Sequence, residues 1–204
     1  MFGFQSGTNR AQLIESVQQD MAALEQVAPP TGLLGATMQI RYAQILESGG
    51  RLTEAERRYK KAVDLVTGSR ERGSSSIRLN TACFFRFKLK DNATAKPLFL
   101  QVTTEEGDHL VGLQAGQELA NILIEEGNYK EALRVLGVVA IPANPASMST
   151  GEAQTLWQRA IAKAHALKCL GRLSEADQYR RLAGAVSVYS KPPKPEPGSD
   201  QAHN

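Results

Sequence analysis

Residues 50–55 read GRLTEA, residues 127–132 read GNYKEA and residues 171–176 read GRLSEA. An apolar residue pattern of helical period precedes each block: Tyr42 and Leu46, then Leu119 and Leu123, then Ala160, Ala164 and Leu167. A second such pattern follows each. The glycine suits a left-handed residue at the end of the first helix, where a Cβ is penalised. The alanines Ala55, Ala132 and Ala176 are small enough to let two antiparallel helices approach closely. Thr53 with Glu56, and Ser174 with Asp177, have the spacing of a capping box at the start of the second helix. Each block is expected to be a helix, a tight turn and a helix.

The turn glycines stand at 50, 127 and 171, and the first gap is about two periods long. A degenerate copy is therefore expected midway, and KDNATA at 90–95 supplies it, with Ala95 in the place of the other alanines. In this register Ala43, Cys83, Ala120 and Ala164 are the small residues of the first helices. Tyr59, Phe99 and Leu136 are the bulky residues of the second helices, and Ala62, Val102, Val139 and Ala183 complete it. The last copy departs from the pattern, with Arg180 beside Tyr179 where the bulky residue belongs.

A helix–turn–helix unit of this length resembles the tetratricopeptide repeat, over units at about 36–69, 76–109, 113–146 and 157–190. The phrase EAERRYKKAVDL at 54–65 and the long period are similar to the kinesin-light-chain-like subgroup. The family's opening Trp and closing Pro are mostly missing. The resemblance implies an all-α, right-handed α-solenoid whose first helices line a concave groove for a protein or peptide segment. The groove residues it implies are Gln44, Asn80, Phe84, Gln117, Asn121, His165 and Lys168, mostly amides or an imidazole beside the apolar stripe. Within CFFRF at 83–87, either Phe84 or Phe85 takes the groove place and the other the core. Ile40, Gln44, Thr81, Gln114 and Glu118 stand where one variant of the family clamps a chaperone's C-terminal carboxylate with Lys, Asn and Arg. That ligand is therefore disfavoured.

The remaining segments frame these units. Residues 1–35 are expected to hold an N-terminal capping helix (8–28) and a Pro-Gly linker; Leu13, Val17, Met21 and Leu24 share one face of the helix. Residues 68–76 form a polar connector and 141–152 the longest internal loop. The Pro-rich tail 191–204 is expected to be disordered.

Composition is that of an ordinary globular chain: 204 residues, 42% apolar and 22% charged. No apolar run reaches membrane length, and the first residues lack a secretory pattern, so the cytoplasm is the expected location. Cys83 and Cys169 make no disulfide framework. His165 and Cys169 lie four apart on one face, but two ligands do not make a metal site. No phosphate-binding loop or nucleophile motif is present, and no cofactor is expected. Residues 51–96 hold 12 basic and 5 acidic residues, whereas 97–152 hold 2 and 8, a split suited to a dipolar partner or to solvated helix faces.

These features favour a non-enzymatic adaptor or scaffold for assembly or chaperoning. The alternative is a subunit of a larger complex or homo-oligomer that docks through its terminal helices, using Leu182, Val186 and Val188. Nucleic-acid binding through Arg57, Arg58, Lys60 and Lys61, and an all-helical enzyme, are weaker alternatives.

Overall fold

The computed structural model describes residues 6–27, 31–69, 71, 73–137, 139 and 148–187. The described residues are helical, with no strand. In chain order the helices are α1 (Ser6–Val27), α2 (Gly32–Ser48), α3 (Leu52–Leu65), α4 (Ser74–Phe84), α5 (Asn92–Glu106), α6 (Leu110–Glu125), α7 (Tyr129–Leu136), α8 (Thr150–Cys169) and α9 (Leu173–Val186). A single π turn, Phe85–Leu89, continues α4. The chain divides into two compact units, 1–115 and 116–204, with α6 running from one into the other. The tail at 191–204, most of the loop at 141–152, and Val188 lie outside the described residues. Residues 150–152 of that expected loop are already the first turn of α8.

The six-residue blocks are helix-reversing turns closed by one recurrent hydrogen bond. Gly50, Gly127 and Gly171 have φ of 77°, 76° and 75°. After each, the next amide reaches back over the helix end: Arg51 N–H to Leu46 O (2.9 Å), Asn128 N–H to Leu123 O (2.7 Å) and Arg172 N–H to Leu167 O (2.9 Å). This satisfies helix-end carbonyls that would otherwise lack partners. The second helix then starts at once, so the expected capping boxes do not form. Thr53 and Ser174 already lie inside helices whose N-caps are Arg51 and Arg172. The Arg guanidinium instead forks onto the glutamate of the block, Arg51 on Glu54 and Arg172 on Glu175, which also places a carboxylate in the first turn. A capping box does form at α8, from Ser149 and Glu152.

The degenerate copy makes the same reversal by a different route. Lys90 replaces the glycine and adopts the left-handed conformation, φ 58°. The Asp91 amide bonds Phe85 O at 2.9 Å, six residues back instead of five. The π turn has absorbed one extra residue. Every position of α4 is therefore offset by one from the equal-spacing register. Ala82, not Cys83, is the buried small residue equivalent to Ala43, Ala120 and Ala164, and Cys83 is half-buried. Phe85 takes the place of Leu46, Leu123 and Leu167.

In the first unit the core runs from Ala36, Ile40, Ala43 and Leu46 of α2, through Ala55, Tyr59 and Ala62 of α3, to Phe84, Phe85, Phe99 and Val102. Tyr59 stacks on Phe84 with centroids 4.3 Å apart, and Phe84 meets Phe85 edge-on at 5.7 Å. Burial, followed by the Glu47 carboxylate on its hydroxyl, pushes the Tyr59 pKa well above the ordinary phenol value. Arg78 is buried in the joint between the two hairpins. It donates to Val66 O (2.7 Å) and Ser69 O (3.2 Å) and pairs with Glu105 (2.8 Å).

Helix α1 lies against α2 and α3. Ile14 and Met21 are its buried described apolar residues, and a Cβ at Gly49 would collide with Ile14 Cδ1. Of the expected face Met21 is buried and Val17 half-buried, and the Leu13 and Leu24 side chains lie outside the described residues. Glu25 Oε1 accepts from Gln39 (2.9 Å), Arg58 (2.5 Å) and Lys61 (2.9 Å). Burial alone would raise the Glu25 pKa, but Lys61, Gln39 and Arg58 outweigh it and bring the value down to about 2.

The second unit is organised by Val139, Ala160 and Ala183, with Leu156, Tyr179 and Leu182 packed around them. Val186 is buried and Leu182 half-buried, so these two residues, expected to face a partner, point inward instead. Asp177, Arg180 and Arg181 are exposed on α9 and give it a polar side.

Two outcomes follow for stability. Lys90→Gly should raise the urea-unfolding free energy by about 1 kcal/mol by removing a Cβ from a left-handed residue, whereas Gly50→Ala should lower it by about the same amount. Glu25 is depressed in the folded chain, so its contribution is complete above the ordinary value of 4.5 and is lost as pH falls towards about 2. Amide exchange of α1, corrected for its intrinsic pH dependence, should lose protection over that window, and Glu25→Gln should abolish the pH dependence.

Candidate peptide-binding surface

The residues expected to line a groove fall into different environments. In the first unit, Gln44 is half-buried and accepts from Arg41 at 3.3 Å. Asn80 is exposed, and its Nδ2 donates to Ser76 O of its own helix at 2.8 Å. Phe84 is buried against Tyr59, so its ring belongs to the core, contrary to expectation. The offset introduced by the π turn is the reason. With α4 displaced by one, Leu79 and Cys83 hold the places equivalent to Ile40 and Gln44, and both are half-buried.

In the second unit, Gln117 is buried and donates through Nε2 to Asn121 Oδ1 at 2.9 Å; its Oε1 is buried without a partner among the described residues. Asn121 Nδ2 reaches Glu118 at 3.5 Å. These amides are ordered by one another before any ligand arrives. His165 and Lys168 are exposed on α8.

Helix α8 has distinct faces, which shows why His165 and Lys168 point outward. Ala153, Ala160, Ala164 and Leu167 are buried as its apolar stripe. Arg159 and Lys163 point to the end of α7 and hydrogen-bond the carbonyls of Leu136 and Gly137, where cations offset the helix dipole. Lys163 also lies over the Tyr179 ring at 4.7 Å. The outward face carries Trp157, Ile161, His165 and Lys168, spaced by four, four and three, with Trp157 37% and Ile161 43% exposed. Sequence reasoning found the last two of these and missed the first two. The available signal was that Trp157 and Ile161 align with His165 and stand off the alanine stripe.

Most of the basic stretch on α3 is internally paired. Arg58 and Lys61 meet Glu25, Arg58 also lies over Tyr42, and Lys60 pairs with Glu56. Arg57 is exposed. Cys169 is exposed, and the Tyr129 hydroxyl hydrogen-bonds its side chain, which holds the phenol above its ordinary pKa. Among the described residues no three His, Cys, Asp or Glu side chains group to hold a metal, and no helix is long and apolar enough to cross a membrane.

These helical hairpins make an all-α fold similar to that of a tetratricopeptide-like repeat protein. The crystal structure of BtubC (BKLC) from P. vanneervenii, a kinesin-light-chain-like protein of that kind, is similar, with a TM-score of 0.68. The similarity covers 96% of this chain and 81% of that one at 14% identity, so it speaks for the fold. No protein-family model and no curated protein matches the chain.

The offset of α4 can be checked by paired substitutions. Ala82→Leu should cost about 1–3 kcal/mol by overpacking a helix contact, whereas Cys83→Leu should cost less than about 1 kcal/mol. Thermal unfolding of the two variants measures the difference, and the equal-spacing register requires the opposite order.

Proposed function

We propose that this chain is a non-enzymatic cytoplasmic adaptor that binds a protein or peptide segment along the first helices of its hairpins, in complex assembly or chaperoning. The outward face of α8 carries the proposal. A Trp and an Ile lie exposed in line with an imidazole and an ammonium, on a helix whose other faces are occupied. Trp is enriched among residues that dominate binding energy, and a flanking polar row can hydrogen-bond a peptide backbone. The preorganised Gln117–Asn121 pair in the same unit adds amide groups of the same kind. The likeness in fold to a kinesin-light-chain-like repeat protein supports protein binding as the general role.

A second reading, docking as a subunit through the last hairpin, is favoured by Leu173, which is 60% exposed. Tyr129 holds the equivalent place one hairpin earlier and meets Cys169 of the following helix. Leu173, in the corresponding place at the start of α9, is left mostly uncovered among the described residues.

The two readings separate by mutation. Quantitative affinity capture with the wild-type chain, Trp157→Ala/Ile161→Ala and Leu173→Glu identifies which partners depend on which surface. The expected outcome is that the α8 variant weakens its partner about tenfold or more while Leu173→Glu does not, 1.4 kcal/mol being a factor of ten. Circular dichroism should show both variants folded at the assay temperature, the α8 variant with the lower melting temperature because Trp157 and Ile161 are more covered than Leu173. Partners lost only with Leu173→Glu would establish the subunit reading, and partners retained by both variants would overturn both.

A further inference from the structure

Gln39, Arg58 and Lys61 converge on a single oxygen atom, Oε1 of Glu25, at 2.9, 2.5 and 2.9 Å. Gln39 has no exposed surface, and its own Oε1 accepts from Arg58 at 3.2 Å, so the donors are mutually ordered. Arg58 also lies over the Tyr42 ring, its Cζ 4.7 Å from the centroid. This is a built carboxylate site on α2 and α3, and α1 fills it from within the chain. Gly49 opens the neighbouring contact by leaving room for Ile14.

The fit of α1 is incomplete. Beneath Gln18 remains a cavity of about 190 Å³ lined by Gln18, Tyr42, Leu46, Glu54, Arg57, Arg58 and Lys61. Tyr42 and Leu46 are its buried, largely apolar part and the other lining residues are polar or charged; the Gln18 amide beside them bonds Arg51 (2.9 Å) and Glu54 (3.2 Å). Among its described residues, α1 buries only Ile14 and Met21 as apolar side chains.

We propose that the α2–α3 surface is a receptor for an acidic amphipathic helix of a partner protein, with α1 as its resident, displaceable occupant. The recognised helix carries a carboxylate at the place of Glu25, apolar residues at the places of Ile14 and Met21, and a larger apolar residue at the place of Gln18. Such a helix fills the cavity that α1 leaves. A second copy's α1 does not displace the resident one, because it makes identical contacts without the high effective concentration of a tethered segment. Recognition is of the helix-in-groove kind, read by anchors three and four residues apart. It lies in the first unit, so its failure and that of the α8 surface are separately measurable.

The probe is a labelled peptide of residues 6–27 carrying Gln18→Leu, titrated by fluorescence anisotropy into the full chain. In the full-length Glu25→Lys variant, whose own α1 is loosened, this peptide should bind about tenfold tighter than the native-sequence peptide. Glu25→Gln in the peptide, or Arg58→Gln/Lys61→Gln in the chain, should remove at least that gain. Absence of binding, or affinity indifferent to the peptide's Glu25 or Gln18 position, overturns the proposal. A measurement on the wild-type chain stands beside this one in case Glu25→Lys impairs folding. Amide exchange should show α1 opening about tenfold or more often than α3, and equal protection of the two overturns displacement. Concentration-dependent dimers of the wild-type chain by light scattering, abolished by Arg58→Gln/Lys61→Gln, would make a second copy the occupant and also overturn it.

Discussion

The structure depends on a hydrogen bond that crosses each helix end. The amide just after a left-handed residue bonds a carbonyl of the helix's last turn, in Arg51, Asn128 and Arg172. This reverses the chain within two residues, so the next helix must run back along the first. Close antiparallel approach then selects alanine at the contact, and Ala55, Ala132 and Ala176 are all fully buried. In the second hairpin Lys90 lacks the freedom of glycine, yet the same closure forms across a π turn from Asp91 to Phe85. Closure is kept and the register of the helix yields. That exchange turns Phe84 inward onto Tyr59 and moves Ala82 into the place that even spacing assigns to Cys83.

Charge is organised locally. The basic stretch of α3 meets Glu25 of α1 and Glu56 of its own helix, and Arg78 sits buried on Glu105 and two carbonyls. Exposed pairs of the Arg134–Glu131 kind add little to stability. Arg78 is different: removing it would leave buried carbonyls without partners. Much of the positive excess of residues 51–96 is thus engaged within the first unit, and Arg57 lines a cavity there together with Arg58, Lys61, Tyr42 and Leu46.

Helix α8 shows how packing selects a surface. Alanines fill the close contacts, two cations close the end of α7, and the remaining face carries Trp157, Ile161, His165 and Lys168. Trp157 and Ile161 lie beside the alanine stripe and keep 37% and 43% of their surface exposed. Leu173 also stands exposed, at the start of α9, whose Asp177–Arg180 pair is exposed too.

The hairpins, their order, the left-handed glycines and the small residues at the contacts were legible in the sequence, because a repeated turn imposes the same local constraints at each occurrence. The N-terminal helix was legible from its apolar period. Three things were decided only by tertiary structure. The π turn was invisible to a reading by even spacing, because it arises from the need to close a turn around Lys90 while seating two phenylalanines. The inward direction of Leu182 was set by its packing on Val139 and Ala160, far away in sequence, and Val186 is buried as well. The carboxylate site joins Glu25, Gln39, Arg58 and Lys61 from three helices, and no local pattern encodes it: it exists only where the α1 helix lies across the first hairpin.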